Sequence, residues 1–109
     1  MPGPQPSWQP EPCPPWCVRE HEESDLPLDR YHQAEPALLP VLVSTDPAEP
    51  RDATLTAADL TLRLGAYAAE PVSWIAIEPV ADGARLVLST DSARELARRI
   101  TELLGDVEG

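Results

Sequence analysis

DLTLRLGAYAAEPVSWIAIEPVADGARLVLSTDSARELARRITELL, residues 59–104, holds three strand patterns followed by one helix pattern. Leu60, Leu62 and Leu64 alternate with Thr61 and Arg63, the period of two expected of a half-buried strand. VSWIAIEP, residues 72–79, is β-rich and apolar on both sides, as in a central or doubly covered strand. RLVLS, residues 85–89, follows the pair Asp82-Gly83, which favours a two-residue hairpin turn. Beyond it Ala93, Leu96, Ala97, Ile100, Leu103 and Leu104 recur at helical spacing, an apolar stripe expected to pack on the sheet. Thr90 followed by Asp91, or Ser92 with Glu95 in a capping box, would open that helix, and Gly105 would end it.

Upstream, ALLPVLVST (residues 37–45) reads as one more short strand. The expectation is an α+β fold: a mainly antiparallel sheet of three to four strands with one C-terminal helix packed on it. A ββββα domain would span 37–105, with a disordered end at 106–109. One helix covers one face of a sheet, so the other face needs a partner, and a homodimer is one way to supply it.

Residues 13–32, CPPWCVREHEESDLPLDRYH, contain every cysteine and histidine of the chain. Pro14 and Pro15 suit the first turn of a helix, which WCVREHEE would continue for about two turns. On such a helix Cys17 and His21, four apart, share one side, and Cys13 reaches the same point from the helix entrance. His32 would return after a loop begun at Pro27. Two thiols and two imidazoles are the donor set of a closed, tetrahedral structural zinc site, one Zn2+ per chain. Residues 13–36 would then form a small zinc knuckle with a short helix. The spacing C-x-x-x-C-x-x-x-H, with a further His, departs from the ββα finger, so that finger's DNA-reading helix is not carried over. A reversible Cys13–Cys17 disulfide and unliganded side chains are the competing readings. Trp16 between the cysteines either shields the metal or packs into the core, and Tyr31 beside His32 poses the same choice; packing is the plainer expectation.

Residues 1–12 alternate proline with polar residues around Trp8 and read as a disordered, Pro-rich tail. They show neither a charged n-region nor an apolar h-region, so no signal peptide is expected. No run of residues is apolar enough for a membrane span. A cytoplasmic setting follows, where a close Cys pair is metal-binding or redox-active more often than a structural disulfide.

The chain has 109 residues, among them 14 prolines, and a formal charge of −11 from 19 acids against eight arginines, with no lysine. Neither half is basic, which disfavours nucleic acid as a partner. Arg94, Arg98 and Arg99 form the local basic cluster, and Glu95 and Glu102 stand at pairing distance on the same helix. No pattern for a small-molecule substrate is evident.

CPPWCVREH (residues 13–21) with His32 behind it, and LSTDSARELARRITELL (residues 88–104) at the end, resemble a family of short actinobacterial proteins of unknown function. Its hallmark is a C-P-x-W-C-x-x-x-H front, a second His, strands, and an Ala/Leu/Arg-rich terminal helix opened by Leu-Ser or Leu-Thr. The resemblance implies a Cys/His front and an intracellular bacterial or phage setting, and no activity. Asp91 and Ser92 stand where the usual opening carries Pro-Glu-Glu or similar, which touches the cap alone.

The expected function is a non-enzymatic zinc-binding module that meets an unidentified protein partner. A closed site leaves no spare thiol or imidazole for catalysis. The alternatives are a zinc hydrolase with three protein ligands and Glu20 or Glu22 as general base, and a zinc-containing transcriptional regulator.

Overall fold

Five strands and one long helix make up the computed structural model, which describes residues 5–81 and 83–108. The strands are β1 (Tyr31–Gln33), β2 (Ala37–Ser44), β3 (Leu55–Tyr67), β4 (Ser73–Pro79) and β5 (Leu86–Ser89), and the helix is α1 (Thr90–Glu108). Short 3-10 turns cover Pro27–Asp29 and Asp52–Thr54. The fold is α+β, with an antiparallel sheet built around β3.

The 13 residues of β3 are long enough to pair with two strands along one edge. β1 pairs with its C-terminal end and β2 with the rest, while β4 lies on the other edge and carries β5 beyond it. β1 is the strand beyond the three or four expected. At three residues it is too short for any periodicity, and it exists because β3 offers it an edge. β4 and β5 are antiparallel neighbours as expected, although Asp82 of the foreseen turn lies outside the described residues.

The register sorts the strand side chains sharply. Leu39, Leu60 and Pro79 stand in one cross-strand row, and Leu86, Ile77 and Leu62 in the next. On that face of the strands there is no Asp, Glu or Arg; Asp59, Arg63 and Glu78 all fall on the opposite one. There Trp74 lies opposite Gly65, its ring filling the space that a Cβ would occupy. Beside that pair Ala76, 3% exposed, is the buried aliphatic residue among those described.

The cap of α1 lies one residue before Thr90 and three before Ser92, the two expected caps. The Ser89 hydroxyl, at the end of β5, accepts the Ser92 N–H at 3.1 Å, so Ser89 is the N-cap. No residue separates β5 from α1. Gly105 does not end the helix, which continues to Glu108; the space around Gly105 is open. The arginines pair along the helix surface, Arg98 with Glu102 at 2.6 Å and Arg99 with Glu95 at 3.0 Å, as a solvated face would.

α1 packs on the sheet at β4 and β5 as expected, although none of its residues is buried. The stripe expected to be core stays largely open, with Leu103 65% exposed. The molecule measures 54 × 29 × 24 Å, with a radius of gyration of 17.8 Å. A compact chain of this length would have about 13 Å. No helix among the described residues is long and apolar enough to cross a membrane.

Candidate metal centre

The front of the chain does not form the expected two-turn helix. Cys17 N–H donates to the Pro14 carbonyl at 3.0 Å, closing a tight turn, and Val18 N–H then donates to the Gln33 carbonyl at 2.9 Å. That second bond draws the chain out along the free edge of β1, and a short isolated helix has too little cooperativity to compete. A second turn follows, where Glu22 N–H donates to the Asp25 carboxylate and Asp25 N–H to the Glu22 carbonyl. The two turns, not a helix face, bring His21 back to Cys17.

His32 is the middle residue of β1, opposite Ala66 on β3, and not part of a loop. It is 8% exposed. Cys13, Cys17, His21 and His32 thus converge: one ligand atom from each lies within 4.8 Å of all the others. Cys17 Sγ and His21 Nε2 are 3.6 Å apart. Zinc bonds of about 2.0–2.3 Å in a tetrahedron set ligand–ligand edges of roughly 3.3–3.8 Å, so modest closure would bring the cluster to that geometry. Both cysteines are free thiols. Nδ1 of His21 and Nδ1 of His32 are buried without a hydrogen-bond partner, a costly arrangement for bare imidazoles. The donor set and these unsatisfied nitrogens fit a bound metal ion.

The supporting shell holds residues that sequence reasoning assigned to an idle tail. Residues 5–12 lie over the site, while residues 1–4 are outside the described ones. Gln9, 5% exposed, donates from Nε2 to Cys13 Sγ at 3.4 Å and to the Glu11 carbonyl at 2.8 Å. Trp8 stands edge-on to His21, with ring centroids 5.6 Å apart, and its indole N–H donates to the Glu22 carbonyl at 2.8 Å. Ser7 donates to the Glu23 carboxylate from its N–H and its hydroxyl. Trp16 stands edge-on to His32 at 6.3 Å, beside the cluster. Tyr31 faces away from that choice: it packs on Tyr67 and receives the Arg19 guanidinium on its ring. Trp16 was marked by its place between the cysteines, but Trp8 and Gln9 carried no signal of this role in sequence, because single residues in a Pro-rich stretch have no period.

Beside His32 lies an open hollow of about 490 Å3, bordered by Gln9, Pro12, Ala66 and Pro71. Glu20 and Glu22, the carboxylates considered as bases, are exposed.

Burial pushes both imidazoles below the ordinary value of 6.5; His21 adds to the effect on His32, while Asp25 opposes it on His21. Burial also raises the Cys13 thiol above 9.0, against the Gln9 hydrogen bond and with Cys17 adding to it. In the metal-free protein the imidazoles are therefore neutral and the thiol is protonated at neutral pH. Below pH 6.5 the unfolded chain binds more protons than the folded one. The imidazole contribution to stability is thus complete above 6.5 and lost as pH falls through the lowered values. The thiol contribution runs the other way, present below 9.0 and fading as pH rises through the raised value. Chelator-treated protein is expected to show a falling urea midpoint between about pH 7 and about pH 5. A flat midpoint over that range would show that the front opens and exposes both rings once the metal is removed.

The chain matches, over residues 3–109, the family described as Domain of unknown function (DUF6907). No curated protein and no solved structure matches it.

Proposed function

We propose, from the premise that the chain belongs to the DUF6907 family, that it is a non-enzymatic module whose Cys13, Cys17, His21 and His32 hold one structural Zn2+ and whose surface meets a protein partner. The observation that carries this reading is the convergence of all four donors, two of them bearing buried, unsatisfied nitrogens. Two thiolates with two imidazoles suit zinc among the common metals. Four protein ligands close the coordination sphere, so the ion braces the fold and does not activate water. The net charge of −11 favours a protein over nucleic acid as the partner.

The hollow beside His32 favours a second reading: three protein ligands, an open fourth position, and hydrolytic chemistry with Glu20 or Glu22 as base. Substituting His32 separates the two. Elemental analysis of protein produced with added zinc should find about one ion per chain, with His32→Ala binding it roughly tenfold or more weakly. Undiminished affinity in His32→Ala would transfer the case to the open site. A wild-type protein free of metal would overturn both readings.

A further inference from the structure

α1 presents an aliphatic stripe to solvent, and the sheet presents an aliphatic face. On the helix, Ile100 and Leu103 are 47% and 65% exposed; on the sheet, Leu39 and Leu86 are 45% and 49% exposed. Within the chain α1 meets the sheet at β4 and β5, and the outer part of its stripe is left open. β5 ends at Ser89 and α1 begins at Thr90, so no linker exists to turn the helix back across the sheet. The elongated shape reflects that geometry.

We infer that two copies of this chain pair with two-fold symmetry, α1 of each lying across the charge-free sheet face of the other. The width of the stripe selects a sheet over a second helix. Ala93, Leu96 and Ala97 recur as Ile100, Leu103 and Leu104, three apolar positions per seven residues, where a two-helix seam uses two. The sheet face is aliphatic across its strands, and no Asp, Glu or Arg of the strands would be buried beneath. Nineteen residues make a helix of about 28 Å. With a stripe roughly 10 Å wide, two reciprocal helix-on-sheet contacts bury about 1,200 Å2 in total, the lower bound for a stable interface. One chain carries both halves of the contact, which is the condition for a closed, isologous dimer. Arg98 and Arg99 beside the stripe are paired with Glu102 and Glu95 on their own helix and bring no unpaired positive charge to the rim.

The test is sedimentation equilibrium of the full chain with its metal bound, compared with Leu103→Glu on the helix and Leu39→Glu on the sheet. Wild type should show twice the 11.9 kDa chain mass. Each variant should be monomeric, its dissociation constant raised on the order of a hundredfold or more. Far-UV circular dichroism checks that each variant is folded, and Leu103→Ser or Leu39→Ser replaces one that is not. A monomeric wild type overturns the inference. So does a Leu39→Glu protein that stays fully dimeric, since that would mean helix–helix pairing. The outcome is independent of the zinc reading, which metal analysis of the same samples tests separately.

Discussion

On the proposed structural-zinc reading, Cys17→Ser is expected to weaken Zn2+ binding by roughly a hundred- to a thousandfold. Structural zinc sites of this type contribute about 10–16 kcal/mol of binding free energy, and a hydroxyl in place of a thiolate forfeits about a quarter of it. The structural consequence should be local. Among its described residues the front of the chain buries no Ala, Val, Leu or Ile: those buried are Pro6, Gln9 and His32, while Val18, Leu26 and Leu28 are exposed. Hydrogen bonds such as Val18 to Gln33 are then its main support apart from the metal, and each is worth only about 1 kcal/mol net. Competition with a chromophoric chelator measures the affinity. Hydrogen exchange should show the Val18 amide losing protection while amides in the β3–β4 ladder keep theirs. Unchanged affinity would remove Cys17 from the ligand set, and a uniform loss of protection would show that knuckle and sheet unfold together.

Gly65→Ala should cost about 2–3 kcal/mol, which lowers the melting temperature by roughly 10 °C in a domain of this size. A Cβ at Gly65 would come within 2.3 Å of Trp74 Cη2 and Cζ2. These are aromatic ring atoms stacked on the backbone, so the indole must leave its place or the strands must separate. Either way the Trp74–Gly65 contact is lost, beside the buried Ala76. Removing the ring separately makes the effect diagnostic. In Trp74→Leu the added methyl group has room, so the second substitution should cost less there than in wild type. Additive costs in the double variant would show that the clash is not the cause.

Much of the frame was legible from local signals. β2, β4, β5 and α1 fall close to where apolar runs, alternation and capping residues place them, because those signals express backbone preferences of the segment itself. The ligand set was legible by chemistry: two Cys and two His confined to one stretch need no geometry to be noticed together. The route by which they meet was not legible. His32 is placed by β1, a strand of three residues that exists only through pairing with the far end of β3. Val18 is held straight by the same strand's other edge, which is why a helix that Pro14 and Pro15 could have opened does not form.

The tail and the terminal helix make the same point. Trp8 and Gln9 have no periodic neighbours to mark them, and only the folded site shows that one covers His21 and the other donates to Cys13. The apolar stripe of α1 was plain in the sequence, but which surface it meets depends on the absence of a linker after Ser89, a matter of chain path. The sequence by itself determined which segments become strands and helix and which four side chains have metal chemistry, since both depend on residue type and spacing. The tertiary structure alone decided how those four converge and which apolar faces stay open, since both depend on ladders between segments distant in the chain.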